Sequence, residues 1–364
     1  MKVLHVETGM NLYGGALQVF YLLRGLQEKG IENVLVCPRG SEIAQAATPF
    51  ADVHPLTMRG ELDFIFGHRL SQTILRKRPD LLHVHSRRGA DLWGALAAIR
   101  TGCKSIVTRR VDNPEKPWLV RLKYRQFDHV IAISDGIRNV LLHEGVPADH
   151  VTCVHSAVDV DVWQKPCNRP WFNQQFGLPE NARAIGVIAQ LIARKGHRFL
   201  IEAMPAVLDK HPEAYFIFFG KGTLQQELEE LCRDIGVEKH VVFAGFRNDL
   251  DHILPCLDLV VHPALMEGLG VSLLQAAAAG VPIVGTRAGG IPEIVVDGIS
   301  GILVEPANSE KLRENISRVL EDGKLAKALA QGARRIAKEQ YSISEMVEGN
   351  LNIYRKFLEC CPSS

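Results

Sequence analysis

The stretch LVVHPALMEGLGVSLLQA occupies residues 259–276. Its first three residues, closed by His262, form an apolar run of the kind that fills a strand buried on both faces of a parallel sheet. A loop follows with glycine at 268 and 270, and a helical pattern begins at the second glycine. Glycine lets backbone come close to a ligand, and a helix N-terminus offers unpaired amides with partial positive charge, so this geometry suits a phosphate. Glu267 lies just ahead of that anion site, placed to accept hydrogen bonds from hydroxyls, and Gln275 follows eight residues later on the helix. Standing alone, the stretch is equally well explained as an ordinary strand–turn–helix with an exposed glutamate.

Two further loops add weight. Gln190-Leu191-Ile192-Ala193-Arg194-Lys195-Gly196-His197 follows an apolar strand and precedes a helix. Its adjacent cations suit a diphosphate, one as a planar fork and the other as a point charge. Gly220-Lys221-Gly222-Thr223 also follows an apolar strand, at 216–219. All three loops fall at strand carboxyl ends, where parallel sheets bind ligands.

Working outward, short apolar runs alternate with amphipathic stretches along the chain. Strands are expected at 3–6, 34–37, 81–85, 105–108 and 130–134, and again at 184–189, 215–219, 241–243, 259–262, 281–285 and 301–304. Helical patterns fall between them, including 16–29, 199–210, 224–235, 272–279 and 343–358. Such βαβ alternation predicts parallel sheets with helices on both faces. The stretch KPCNRPWFNQQFGLP at 165–179 holds three prolines and no strand pattern, and reads as a linker. The expected organisation is α/β: an N-terminal Rossmann-like domain at 1–165, the linker at 166–179, and a second Rossmann-like domain at 180–342. A C-terminal helix at 343–364 could pack back on the first domain. Two doubly wound parallel-sheet units facing each other would leave an interdomain cleft.

Composition narrows the function. The 364 residues carry 42 Lys plus Arg against 41 Asp plus Glu, a net charge of +1, with 46% hydrophobic residues. A balance near zero argues against nucleic acid as partner. The charge is nevertheless uneven: residues 59–125 hold an excess of +9, leaving −8 for the rest. No run reaches the 18 or more apolar residues a spanning helix needs. The N-terminus reads as a first strand and not a signal peptide, which suggests a cytoplasmic protein. The eight cysteines show no C-x-x-C pair or zinc spacing, so reduced thiols are expected. The Cys360-Cys361 pair reads as an exposed tail.

Several enzyme classes drop out. Gly14-Gly15 is not G-x-G-x-x-G, and the second strand ends in Val36-Cys37-Pro38 with no acid for a ribose, so a nicotinamide or flavin enzyme is disfavoured. The P-loop and the G-x-S-x-G elbow are both missing. Asp159-Val160-Asp161 and Asp249-Leu250-Asp251 match the short acidic pattern that holds divalent ions in some sugar transferases. Turn and cap roles explain both, and no metal is expected.

The second half resembles the nucleotide-sugar-binding half of retaining glycosyltransferases of the GT-B fold, specifically glycosyltransferase family 4. Matching segments run through most of the chain: Gly14-Gly15, Ser134 after a strand, Val158-Asp159, Lys195-Gly196 and Gly220-Lys221-Gly222. They continue with Phe243-Ala244-Gly245-Phe246, Asp258-Leu259, Glu267-Gly268-Leu269-Gly270 and Ala288-Gly289-Gly290-Ile291-Pro292-Glu293. Their order and spacing make the resemblance specific, although no single segment would.

The resemblance implies a Glu-x7-Glu donor motif in which Glu267 contacts the transferred sugar and the second position, here Gln275, holds the ribose. It implies a diphosphate on Lys195 and the amides of Gly268, Leu269, Gly270 and Val271, with Gly15, Gln190, Gly220, Gly222 and Phe246 as further donor-binding positions. Gln190 stands where the family usually has arginine, and Arg194 is the nearest cation to replace it. Arg110 falls where the family often has a histidine. It cannot shuttle protons near neutral pH, but it can bind an anionic acceptor or offset negative charge. His83 and His85 alternate along one strand and share a face, His85 nearer the carboxyl end and within reach of a substrate, although a structural role explains it as well.

The expected activity is retaining transfer of a hexose-type sugar from a nucleoside diphosphate, with a UDP-sugar favoured, to a hydroxyl of a glycan or glycolipid. The resemblance implies lipopolysaccharide or another cell-surface glycan as the product, with neither metal nor cofactor. The basic stretch fits an anionic acceptor or peripheral contact with the inner face of the cytoplasmic membrane; a solvated basic face fits equally. A binding protein without activity, an epimerase and a phosphorylase remain as alternatives. If Gln275 holds the ribose, Gln275→Glu should tighten donor binding about fivefold, because a charged acceptor strengthens such a bond by about 1 kcal/mol. Calorimetric titration with UDP reads this directly.

Overall fold

The computed structural model describes residues 1–61, 63–85 and 89–359. Cys360 and Cys361 lie outside the described residues. The chain forms two compact units, one made of Met1–Ala157 together with the C-terminal segment from Ile343, the other of Val158–Ser342.

The first unit holds seven strands: β1 (Lys2–Val6), β2 (Glu32–Cys37), β3 (Asp52–Pro55), β4 (Leu81–Val84), β5 (Lys104–Arg109), β6 (His129–Ala132) and β7 (Val151–Cys153). They are ordered β3-β2-β1-β4-β5-β6-β7, and every pairing is parallel. The second unit holds β8 (Arg183–Ile188), β9 (Ala214–Phe219), β10 (Val241–Gly245), β11 (Leu259–His262), β12 (Ile283–Thr286) and β13 (Ile302–Val304). Their order is β10-β9-β8-β11-β12-β13, again all parallel. Each sheet starts in the middle, winds to one edge, and returns past its first strand. That reversal opens a crevice beyond the carboxyl ends of β1 and β4, and of β8 and β11.

Burial explains the apolar runs. The central strands are covered on both faces, and Val3, Leu4, Val6, Phe216, Phe218, Leu259 and Val261 are all fully enclosed. The edge strands β3 and β7 are short and only partly buried, so they lack the apolar run that marks the others. Neither is among the strands expected from the sequence.

Residues 166–179 are not an open linker. They belong to the second unit and carry the helix Arg169–Phe176. The side chain of Asn168 caps that helix by accepting from the amide of Trp171 at 3.2 Å, Pro170 occupies its first turn, and Gly177 ends it at φ 65°. Proline starts this helix because the first turn has no use for its missing N–H. The same segment corrects the expectation of reduced thiols, for Cys167 is disulfide-bonded to Cys256, 89 residues away. Motif spacing does not register a pair so far apart. Cys37, Cys103 and Cys232 are free thiols.

The C-terminal helix Ile343–Glu359 lies on the helix Gly15–Glu28 of the first unit. A side chain at Gly25 would come within 2.5 Å of Val347, so glycine there sets the close approach. Met346, Val347, Leu351 and Tyr354 join the core around Val3, Leu22 and Ile106. Tyr354 reaches into the sheet, where its hydroxyl lies 2.5 Å from Nδ1 of His83. Tyr354→Phe leaves that buried nitrogen without a partner, a change worth about 1–3 kcal/mol. Equilibrium urea unfolding should show a loss of that size.

Candidate active site

The second unit gathers its chemistry where β8 and β11 part. Glu267, in the loop after β11, is the hub. Its Oε2 accepts from Nζ of Lys195 at 2.5 Å and lies 2.8 Å from Nε2 of His262, while its Oε1 accepts from the amide of Gly268 at 3.1 Å. Lys195 and His262 are buried at 7% and 1% exposure. Burial alone would raise the Glu267 carboxyl, but the hydrogen bond and charge of His262, with those of Lys195, outweigh it and hold the group well below its ordinary range. The side chain is therefore a carboxylate at any physiological pH.

The loops that carry these groups are locked to one another. The carbonyl of Arg194 accepts from the amides of Leu265 at 2.8 Å and Met266 at 3.2 Å. The Thr286 hydroxyl donates to the carbonyl of Ala264 at 2.5 Å, and the Gly290 amide to that of Glu267 at 3.1 Å. A side chain at Gly196, whose φ is +66°, would meet the carbonyl oxygen of Pro263 at 2.0 Å. One at Gly289, φ +52°, would meet that of Glu267 at 1.8 Å. Gly220 and Gly222 approach the carbonyls of Ala189 and Leu191 as closely. These glycines let loop pack on loop, a use distinct from room for a ligand.

The helix Val271–Ala279 begins at Gly270, φ +94°, and no side chain caps its N-terminus. Leu269 and Gly270 are buried, whereas Val271 and Gln275 are half-buried on the helix. Gln190 is exposed and Arg194 half-buried, both in the loop after β8. Phe246 stands 49% exposed after β10. The structure thus draws Lys195, Glu267 and the Gly268–Val271 turn together, and sets Gln190, Gly220, Gly222 and Phe246 on loops at the same end of the sheet. The second Asp-x-Asp triplet is tied up in ion pairs: Asp249 receives a fork from Arg247 at 2.8 and 2.6 Å, and Asp251 pairs with Lys165.

Two histidines here had escaped the motif reading. His262 ends β11 on the side that meets Glu267. His197 opens the next helix with both ring nitrogens buried and without a hydrogen-bond partner. Burial, with help from His262 and Lys195, drives its imidazole down to about 4, so it is neutral. An apolar run ending in histidine was the only sequence signal for the first.

The first unit has its own polar cluster at the ends of β1, β4 and β5. Arg110 lies against Gly15, where a side chain would come within 3.3 Å of its Cδ. Burial lowers its guanidinium to about 10, and Glu7 and Tyr354 oppose the shift, so it stays cationic at neutral pH. Its Nε is buried without a partner. The rings of His83 and His85 sit 3.8 Å apart, on one face as the alternation predicts. His85 is 2% exposed and its Nε2 is 3.0 Å from Nδ1 of His5. Burial, His83, His5 and Arg110 push it well below its usual value, leaving it neutral. His5, His83 and His85 bring ring nitrogens within 4.8 Å of each other, a spacing that could take a metal ion. Both nitrogens of His83, however, already face Tyr354 and Thr108.

An uncapped helix end, a buried lysine and a carboxylate thus meet at the carboxyl end of the second sheet, in one of two units of this topology. Residues 168–336 match the family described as Glycosyl transferases group 1, and residues 13–162 match Glycosyltransferase Family 4. The chain belongs to this family of glycosyltransferases. It is 30% identical over 238 residues to an uncharacterized glycosyltransferase, MJ1607, of Methanocaldococcus jannaschii, covering 63% of this chain and 60% of that protein. It is 25% identical over 366 aligned positions to the lipopolysaccharide core biosynthesis glycosyltransferase LpsE of Rhizobium meliloti, covering 97% and 98%. Among solved structures, Anabaena Alr3699/HepE in complex with UDP and glucose superposes with a TM-score of 0.83 at 21% identity, covering 97% and 99% of the two chains. The fold is accordingly GT-B.

The depressed Glu267 carboxyl has a consequence for stability. A group whose native value lies below its unfolded value stabilises the fold above the unfolded value, and the benefit fades as pH falls toward the native one. The stability gap between wild type and Glu267→Gln should therefore stay flat from neutral pH to about 4.5, the ordinary value, and shrink below it. Urea titrations of both proteins across that range measure the gap.

Proposed function

We propose that this protein catalyses retaining transfer of a sugar from a nucleoside diphosphate, with UDP favoured as the carrier, to a hydroxyl of a glycan or glycolipid acceptor. The observation that carries the reading is the Lys195–Glu267–His262 cluster beside the uncapped helix at Gly270. In the free protein Lys195 is held by Glu267. A diphosphate brings more negative charge than one carboxylate, so it draws the ammonium toward itself. His262 and the Gly268 amide then keep Glu267 oriented, with lone pairs left for a sugar hydroxyl. Gln275 is assigned to the ribose and Arg194 to the diphosphate, with Gln190, Gly220, Gly222 and Phe246 lining the nucleotide.

The acceptor oxygen attacks the anomeric carbon on the face the diphosphate leaves. The bond from that carbon to the β-phosphate oxygen breaks, and the acceptor proton passes to the departing phosphate. Lys195 and the helix N-terminus offset the charge that develops there. No protein nucleophile, metal or cofactor takes part. In the first unit Arg110, kept cationic beside Glu7 and Gly15, meets an anionic part of the acceptor, with the neutral imidazole of His85 beside it. Relatedness to LpsE supports lipopolysaccharide or a similar cell-surface glycan as the product, made on the cytoplasmic side of a membrane.

Lys195→Ala and Glu267→Ala should each lower turnover at least about a hundredfold in folded protein, given what a lost charge-stabilising group costs in comparable sites. Near-normal turnover in both would remove the donor site from this place. A thermal-shift screen with UDP, GDP, ADP and their sugar conjugates names the carrier. Donor binding without transfer to any acceptor would instead identify a binding protein.

A further inference from the structure

The helices Phe64–Lys77, Ala90–Thr101 and Pro117–Tyr124 follow β3, β4 and β5, whose connections all step the same way along the first sheet. Right-handed crossovers therefore put them on one face. The first two pack through Gly67, which lies against the ring of Trp93. Their outer surface is unusual for a soluble enzyme. Phe64 is 70% exposed, Ile99 57% and Trp118 65%, and between the last two helices runs a cavity of about 880 Å³. Leu92, Leu96, Val111, Leu119 and Leu122 line it.

Charge coincides with this apolar surface. Part of the +9 excess of residues 59–125 lies here, although Arg109 and Arg110 are enclosed and do not belong to this surface. Arg69, Arg76, Arg100, Lys116, Arg121 and Arg125 on these helices or at their ends are exposed. The carboxylates at the groove are largely answered: Asp91 pairs with Lys123, and Glu115 with Arg109, while Glu61 stands at its edge. Exposed aliphatic and aromatic side chains mixed with unpaired cations suit the interface of an anionic lipid leaflet, where apolar burial and charge attraction act together.

We propose that this face docks the protein on an anionic lipid surface, with a hydrocarbon chain of that leaflet entering the groove between Ala90–Thr101 and Pro117–Tyr124. The proposal deepens the reading of a lipid-borne acceptor given above. It is tested without sugar transfer, so that either can fail alone. The full chain is sedimented with vesicles of phosphatidylcholine alone or mixed with phosphatidylglycerol, at low and high salt. Binding should be at least about tenfold tighter to the anionic vesicles, weaken with salt, and shift Trp118 emission to the blue, a shift that Trp118→Phe removes. Leu96→Glu and Leu122→Glu alter exposed positions, so their melting temperatures should match wild type while vesicle binding falls about tenfold or more. Equal binding to neutral vesicles, no binding, or unaffected binding by both variants would overturn the proposal. So would a lipid-free dimer that these two substitutions dissolve, since a second copy would then be what covers the face.

Discussion

Everything at the second unit's site hangs on one shared oxygen. Oε2 of Glu267 faces both an ammonium and an imidazole, in a place where burial would otherwise favour a neutral acid. A buried carboxylate needs such partners, because an unpaired charge away from water is costly. Because two donors share the one oxygen, the carboxylate keeps a partner if either moves away. The arrangement in turn depends on three loops meeting without side chains between them, which is why glycine recurs at 196, 289 and 290.

The sequence made the layout of the sheets legible wherever a strand is central. Residues 259–262 match β11 end to end because full burial demands an apolar run, here Leu259–Val261 closed by the buried His262. It was silent on β3 and β7, where edge positions ask for nothing so regular. Proline misled the reading of 166–179, since its effect depends on position within a helix and not on its count. The disulfide Cys167–Cys256 joins residues that only the fold brings together.

At the site, residue types were readable but partnerships were not. Glu267, Lys195 and the glycine turn stand out in the sequence as charged residues and glycines in loops after strands, and the fold brings them together. His262 and His197 carry no motif, and their roles arise from which face of a strand or helix they occupy. The glycines were read as space for a ligand, yet several are space for neighbouring carbonyls. In the first unit, the alternation of His83 and His85 forecast a shared face but not the company of His5, Tyr354 and Arg110 there.

The helix Ile343–Glu359 has a bearing on how the protein is made. The first unit is built from both ends of the chain, and Met346, Leu351 and Tyr354 complete its core. A ribosome delivers those residues only after the whole of the second unit. The second unit is continuous, so its whole sequence has been synthesised before the helix that finishes its neighbour exists. Domains usually fold as units in the order they emerge. Here the first unit starts before the second yet closes after it, and until then Leu22, Leu26 and Ile106 wait with an uncovered side.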